Sequence, residues 1–287
     1  MPNLYVVATP IGNLEDVSLR ALRVLREVRL IAAEDTRKTK RLLNAYDIKT
    51  PMTSYHGHNE KAKLDYILNR LKEGDLALVS EAGMPGVSDP GYELIRAANE
   101  NDIPVTPIPG PSAVITALVV SGLPTDRFLY LGFLPRRASA RKQALKSVAT
   151  ETGTLVILEA PHRLHQTLND LQLVLGNRRL AVCRELTKLH EEVFRGTSSQ
   201  AVARFTEPKG EFTLVIEGKR DAEQQRLSKD IVRQLGDMYQ RGVKAREAIA
   251  SMAAETGLSR RELYRSWLKL GKSSAKKRNP CHSLERS

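Results

Sequence analysis

A chain of 287 residues with 41% hydrophobic content is long enough to bury a sizeable core and to divide into two compact domains plus an appendage. Its longest apolar run, Ala113 to Val120 broken only by Thr116, falls far short of the roughly 20 residues that cross a bilayer, which excludes a helical membrane span. The formal charge of +12 is uneven: residues 219–287 hold 17 basic against 8 acidic side chains, leaving 28 against 25 for residues 1–218.

In chain order, the opening Met1-Pro2-Asn3-Leu4-Tyr5 has neither a basic n-region nor a small-residue cleavage site, so a cytoplasmic location is expected. Five short aliphatic runs then read as strands: Leu4 to Ala8, Leu30 to Ala33, Met52 to Tyr55, Leu76 to Ser80 and Pro104 to Ile108. Segments of helical period lie between them, the pattern of a parallel sheet covered by helices. In the first, Leu19, Leu22, Leu25 and Val28 are expected on the buried face and Arg20, Arg23, Arg26 and Glu27 on the other; in the third, Leu64, Ile67, Leu68 and Leu71 follow Asn59 as N-cap. Gly122 to Asp126 breaks the pattern as a linker. Beyond it, strand-like runs at Phe128 to Phe133, Thr154 to Leu158, Leu180 to Arg184 and Phe212 to Glu217 alternate with helical ones such as Leu164 to Leu175.

From Ala222 the strand signal stops. Two short helices, about Lys244 to Glu255 and Arg260 to Leu270, are expected around Thr256-Gly257-Leu258-Ser259, with Ser259 and Glu262 as a capping box. The domains are therefore 1–122, 123–218, a helical appendage at 222–271, and a basic tail at 272–287 expected to be disordered. Cys183 sits in an apolar run and Cys281 in the polar tail, so no disulfide is expected between them.

Each of the five N-terminal strands runs into a loop rich in glycine, proline or small polar residues: Pro10-Ile11-Gly12-Asn13, Glu34-Asp35-Thr36-Arg37, His56-Gly57-His58-Asn59, Glu81 to Gly86, and Pro109-Gly110-Pro111-Ser112. Ligands of an open parallel sheet bind outside the carboxyl ends of its strands, so five such loops predict one small-molecule site, although each alone is ordinary turn chemistry. Gly-Pro-Ser at the head of an apolar helix also suits close approach of a ligand to backbone N–H groups. The common fingerprints are absent: there is no G-x-x-x-x-G-K-[ST], no G-x-G-x-x-G after the first strand, and no Cys/His cluster with zinc spacing. No metal is expected.

Several ordered motifs carry a resemblance: Thr9 to Leu14, Ala32-Ala33-Glu34-Asp35-Thr36-Arg37, Ser80-Glu81-Ala82-Gly83, Asp89-Pro90-Gly91, Pro109 to Ala113, Glu159-Ala160-Pro161-His162-Arg163, Arg184 to Lys188, and Gly210-Glu211-Phe212. Over residues 4–218 the chain resembles the tetrapyrrole-methylase superfamily, and within it the ribosomal RNA small-subunit methyltransferases I. The resemblance implies an α/β tetrapyrrole-methylase fold, two α/β domains with the cofactor cleft between them, plus a small helix-turn-helix-like C-terminal appendage. It further implies S-adenosylmethionine as cofactor, a 2′-O-methylcytidine in 16S rRNA near the decoding centre as product, the small ribosomal subunit as partner, and a homodimer. Three positions depart from the family pattern: Ala8 replaces the usual proline, Glu81 the usual aspartate and Met84 the usual threonine.

By matched motif, the cofactor contacts are Pro10 and Gly12; Ser80, Glu81, Ala82 and Gly83; and Pro109, Gly110, Pro111, Ser112 and Ala113. Glu159, Pro161, Leu186, Glu211 and Phe212 are expected to close the cleft from the second domain. Glu34, Asp35, Arg37, His56, His58 and Asn59 are left for the acceptor side, with Glu34 or Asp35 favoured over His56 as base and Arg37 holding a phosphate. Helix capping is an equally good account of Asp35 or Asn59 taken singly. Arg260, Arg261, Arg265 and Lys269 are the candidates for gripping RNA backbone, while Tyr264, Trp267 and Leu268 fall at the spacing of a small core. Two competing functions remain: methylation of a tetrapyrrole carbon, and a helix-turn-helix regulator that senses a metabolite.

Overall fold

The three inner strands of the first sheet are mainly aliphatic runs because both of their faces are covered and alternation is not required, whereas its two edge strands, Met-Thr-Ser and Val-Thr-Pro-Ile, are less buried. In the computed structural model, which describes residues 2–219, 229–256, 260, 263–268 and 270, these are β1 (Leu4–Val7), β2 (Leu30–Ala33), β3 (Met52–Ser54), β4 (Leu76–Val79) and β5 (Val105–Ile108). They pair in parallel in the order β3-β2-β4-β1-β5, so β1 lies between β4 and β5 and β3 lies at the far edge. The crossover helices are α1 (Leu19–Glu27), α2 (Thr36–Ala45), α3 (Glu60–Glu73) and α4 (Tyr92–Glu100), and α5 (Ala113–Ser121) follows the last strand.

One expected core position is wrong. Leu19 is 85% exposed, and α1 buries Ala21, Leu22, Val24 and Leu25, with Val28 beyond its end. Residues repeating every three positions rotate back by about 60° per step on a helix of 3.6 residues per turn. Leu19 and Val28 therefore face opposite ways, and the buried stripe follows the three-and-four spacing. Asn59 is also not a side-chain cap for α3: its Oδ1 accepts the His56 N–H at 2.8 Å and its Nδ2 donates to Ser54 Oγ at 3.1 Å.

The second sheet has the order β6-β7-β10-β8-β9, built from β6 (Phe128–Phe133), β7 (Thr154–Glu159), β8 (Arg179–Arg184), β9 (Glu192–Thr197) and β10 (Phe212–Ile216). β6 pairs with β7 in parallel and the other pairings are antiparallel. Sequence reasoning missed β9, an edge strand of sequence EVFRGT whose residues are only partly buried or exposed and so leave little hydrophobic signal. The helices here are α6 (Ala138–Ser147), α7 (Pro161–Leu175) and α8 (Ser198–Arg204). Proline opens α7 at a position where no N–H is needed.

Helix α5 is almost wholly apolar; it buries Ala117, Leu118 and Ser121 and leaves Ile115 and Val119 exposed. Its Ala117 and Leu118 pack with Val156, Ala181, Cys183 and Val215 of the second sheet and with Ile11 of the first loop, a cluster that welds the two sheets into one compact unit, Met1–Lys219. Each fully buried leucine or valine in such a cluster contributes about 1.5–3 kcal/mol.

The other unit is Arg220–Ser287. It contains α9 (Lys229–Gln240), which the periodicity reading did not find, and α10 (Ala245–Thr256). Residues 263–268 are helical. Leu235, Ala248, Ile249, Met252, Leu263 and Trp267 form its core, with Trp267 edge-on to Tyr239 at 5.1 Å. Of the three residues expected in that core only Trp267 is there; Tyr264 and Leu268 are exposed. The expected capping box at Ser259 and Glu262, the turn at Gly257, Cys281 and the tail after Gly271 lie outside the described residues.

Candidate functional site

Strand order decides which loops can meet. Loops after β1, β4 and β5 are neighbours because those strands are, whereas β3 is three strands from β1, about 14 Å at the usual strand spacing. The backbone closes the inner loops tightly. Thr9 and Gly83 exchange both N–H···O=C bonds at 2.9 Å, with Gly83 left-handed at φ +79°. The Thr9 hydroxyl donates to the Ser80 carbonyl at 3.3 Å, and Gly110 comes so near β1 that an added Cβ would lie 3.1 Å from the Ala8 Cβ.

The first loop also docks on the second sheet. A Cβ on Gly12 would meet Thr187 Oγ1 at 2.7 Å and the Leu186 carbonyl at 3.0 Å, and the Asn13 N–H donates to Thr187 Oγ1 at 3.0 Å. Glu185 and Thr187 both take positive φ there, 49° and 66°, which turns Leu186 inward. Lys188 Nζ ties Glu185 to Glu211, each at 3.0 Å, and so fixes the neighbouring loop before β10.

Between the sheets these loops enclose a cleft of about 630 Å³. Of the residues expected to contact a cofactor, Glu81, Ala82, Gly83, Ser112, Ala113, Glu159, Pro161, Leu186, Glu211 and Phe212 line it. Pro10, Gly12, Ser80, Pro109, Gly110 and Pro111 do not; they shape the backbone behind it. Residues the sequence reading left unassigned complete the wall, chiefly Ile11, Met84, Val87, Asp89, Val114, Ile115, Phe128, Tyr130, Phe133 and Cys183. The β6 aromatics carried no motif, and only the side-chain alternation of β6, bent by a bulge between Tyr130 and Gly132, aims Tyr130 and Phe133 here. Burial pushes the Cys183 thiol up to about 12, so it is an apolar wall group.

Every charged residue lining the cleft is a carboxylate: Glu34, Glu81, Asp89, Glu159 and Glu211. Most are anchored. Glu159 accepts from the Thr167 hydroxyl at 2.5 Å and from the Ala160 N–H at 2.9 Å, and Arg163 Nε stands 3.2 Å away as an ion pair without hydrogen-bond alignment. Glu211 is held by Lys188 and Glu81 by Lys38. Glu34 Oε2 accepts the Glu81 N–H at 2.9 Å. Asp89 differs: burial, then the nearby Glu34 charge, push its carboxyl up to about 7 against the opposing hydrogen bond with Ser80, and Glu81 adds to the rise.

The acceptor-side residues are not assembled as a group. Only Glu34 lines the cleft. Asp35 is the N-cap of α2, accepting from the Arg37 and Lys38 N–H groups at 2.8 and 3.3 Å, and its Oδ2 pairs with Arg37 Nη2 at 3.0 Å. The Arg37 side-chain bond, followed by these backbone bonds, lowers the Asp35 carboxyl to about 2, which makes it a feeble proton acceptor at neutral pH. His56 and His58 meet edge-on at 6.0 Å, and neither they nor Asn59 reach the cleft. Among the described residues no three potential ligands gather around a metal position. Arg260 and Arg265 are exposed in the second unit, while Arg261 and Lys269 lie outside the described residues.

Comparison with known proteins gives three results. Residues 3–202 match the family Tetrapyrrole (Corrin/Porphyrin) Methylases. The chain is 48% identical over 268 residues to a ribosomal RNA small subunit methyltransferase I of Halalkalibacterium halodurans, covering 91% of this chain and 93% of that one, and 50% identical over 272 residues to its namesake in Synechocystis sp., covering 93% and 98%. Among solved structures, a uroporphyrin-III C-methyltransferase of Thermus thermophilus complexed with S-adenyl homocysteine aligns at TM-score 0.54 and 18% identity, over 75% of this chain and 97% of that one. A cobalt precorrin-4 methyltransferase aligns at TM-score 0.58 and 15% identity, over 74% and 94%.

Proposed function

The chain belongs to the tetrapyrrole methylase family, and from that premise we propose that it methylates the ribose 2′-oxygen of a cytidine in 16S rRNA near the decoding centre, with S-adenosylmethionine as methyl donor. The observation that carries the reading is the cleft itself, an apolar slot between two sheets whose charged lining residues are all carboxylates although the chain as a whole is basic. That wall suits a ligand with an adenine ring to bury and positive charge to balance. It is ill suited to a polyphosphate, which would need cations or a glycine-rich anion loop. When bound, S-adenosylmethionine supplies a methyl group already activated by positive sulfur.

The chain's own part is largely positioning. Ala82 and Gly83, Ser112 and Ala113 present backbone to the ligand from the first sheet; Leu186, Phe212 and Pro161 cover it from the second. Gly12 lets the two sides approach. Glu34 marks the acceptor side, at the cleft edge that continues into the basic helix α2, where Arg37, Lys38, Lys40 and Arg41 can meet phosphate. The appendage, with Arg260 and Arg265 exposed, adds further grip on RNA backbone. The protein works in the cytoplasm as a homodimer on the small ribosomal subunit. No helix among the described residues is long and apolar enough to cross a membrane.

Two measurements test the reading. Calorimetry is expected to show S-adenosylmethionine binding in the micromolar range, about −8 kcal/mol. Primer extension at limiting deoxynucleotides on rRNA from cells lacking the protein is expected to lose one stop, restored by the wild-type gene. An unchanged pattern of stops removes the rRNA assignment, and failure to bind the cofactor removes the enzyme class.

A further inference from the structure

On the side of β6 the cleft opens past a run of contrasting chemistry, Phe133-Leu134-Pro135-Arg136-Arg137. β6 is an edge strand of the second sheet, with no strand beyond it. Its last residue, Phe133, lines the cleft and is nevertheless 54% exposed, while the next, Leu134, is buried. The chain thus seats the smaller side chain in the core and leaves the larger ring in water at the mouth. Met84 and Val87, on the connection from β4 to α4, line the same cleft, and Val87 is exposed as well. That connection is pressed onto β6: the Ser88 and Tyr130 hydroxyls are hydrogen-bonded at 2.6 Å, and a Cβ on Gly132 would stand 3.0 Å from Ser88 Oγ. Val87 precedes Ser88 and Phe133 follows Gly132, so an aliphatic and an aromatic side chain bracket one stretch of the mouth.

Two largely buried guanidinium groups hold the backbone behind that ring. Arg163 Nη2 donates to the Leu134 carbonyl at 2.6 Å and to the Pro135 carbonyl at 3.4 Å, and its Nε stands 3.2 Å from Glu159. Arg141 Nη1 donates to the Arg136 carbonyl at 3.2 Å while its Nε pairs with Asp170 at 2.7 Å. Three successive carbonyls are therefore fixed by arginines that carboxylates fix in turn. Arg136 and Arg137, carried on this frame, are both exposed, and neither has an ion-pair partner among the described residues.

We propose that this segment receives the acceptor nucleotide: the Phe133 ring stacks on the target pyrimidine after it has left its own stack, Met84 and Val87 close on the other face, and Arg136 and Arg137 take the flanking phosphates. The inference deepens the rRNA 2′-O-methylation reading above and rests on it. A nucleotide drawn out of folded RNA loses its neighbours, and an aromatic ring restores that stacking without regard to pairing. The charges sort the two parts of the nucleotide. Inside the cleft every charged lining residue is a carboxylate, which repels phosphate; at the rim stand two unpaired arginines, which attract it. Base in and phosphate out is the orientation that results. Because the frame is already rigid, little conformational freedom of the backbone is lost on binding.

The test uses the full chain and small ribosomal subunits from cells lacking it, with single-turnover methyl transfer, subunit affinity and cofactor calorimetry measured side by side. Phe133→Ala is expected to lose about 5–150-fold in rate at limiting subunit and to keep cofactor affinity within about threefold. Phe133→Tyr, which retains a ring, should match wild type within about threefold, whereas Phe133→Leu, which retains only apolar bulk, should fall with Phe133→Ala. The double variant Arg136→Ala, Arg137→Ala should bind the subunit more weakly, with a salt dependence shallower by about 1.4 in the log–log slope for two single-strand phosphates. A readout independent of turnover is a photoreactive p-benzoylphenylalanine placed at position 133: its cross-link should halt reverse transcription at or beside the nucleotide that loses its methyl in the deletion strain. A wild-type rate in Phe133→Ala overturns the proposal, as does full activity in Phe133→Leu, loss of cofactor binding in step with rate, an unchanged salt slope in the double variant, or a cross-link elsewhere in the rRNA. A wild-type protein that transfers no methyl group to the subunit overturns the underlying reading instead, and does so before any variant is compared.

Discussion

At Asp89 a carboxyl with an ordinary value of 3.8 is raised to about 7, and this has a consequence for stability. Between those two pH values the folded protein keeps a proton that the unfolded chain has released, so the contribution of Asp89 is intact below about pH 4 and is lost as pH rises through 7. Asp89→Asn should therefore gain in melting temperature over wild type between pH 4 and pH 8; parallel pH dependences of the two proteins would show that the carboxyl is not raised. Asp35 has the opposite sign: its capping and pairing favour the charged form, so its contribution is present above about pH 4 and fades as pH falls through 2. Glu81 illustrates a third case. Its extra methylene relative to the usual aspartate lets it reach Lys38 across an exposed surface, a pair worth less than about 1 kcal/mol. Glu81→Asp should change the melting temperature little, and calorimetry should find cofactor affinity within about threefold. The motif Asp89-Pro90-Gly91 was visible in the sequence, but its raised carboxyl was not, because burial and the proximity of Glu34 exist only after β2 and β4 are paired.

At the scale of elements, the second sheet is covered by helices that a buried ion pair holds in register. Arg141 Nε of α6 meets Asp170 Oδ2 of α7 at 2.7 Å, with the Arg141 side chain only 3% exposed, and the Arg136 carbonyl accepts a further bond from Arg141. Asp170→Ala leaves that guanidinium buried and short of its anion. The cost should be about 3–5 kcal/mol in urea unfolding, and a loss below about 1 kcal/mol would mean that Arg141 finds water instead. The first loop makes a different demand. Gly12→Ala drives a Cβ into Thr187 Oγ1 and the Leu186 carbonyl, so it should cost about 1–3 kcal/mol and weaken cofactor binding by opening the cleft. Calorimetry beside thermal melting would separate the two effects. Strands β2 and β6 have the bounds that their runs of aliphatic and aromatic residues suggest, because such runs are bracketed by turn residues. On α1 only Leu19 departs from the expected buried face, because a strict three-residue repeat drifts off a helix of 3.6 residues per turn. Strand β9 went unnoticed because an edge strand need not be apolar.

Across the whole molecule, the chain divides at Lys219 and Arg220, close to where the charge composition changes. Deleting residues 222–287 should weaken binding to the small ribosomal subunit and flatten its salt dependence, while S-adenosylmethionine binding to the first unit persists; equal subunit affinity after truncation would remove the appendage from RNA recognition. What the sequence determined by itself is what local order can encode: the aliphatic runs that become strands, the polar and glycine-bearing loops that follow them, the motif series of the family, and the concentration of basic residues near the end. What only the tertiary structure decided is which of those loops meet. The order β3-β2-β4-β1-β5 brings the loops after β1, β4 and β5 together and leaves His56, His58 and Asn59 outside the cleft. The apolar helix α5 seats the second sheet against them and brings Tyr130 and Phe133 to the cleft wall. Strand adjacency and the raised carboxyl of Asp89 are properties of residues far apart in the chain and close in space, and no pattern along the chain records that distance.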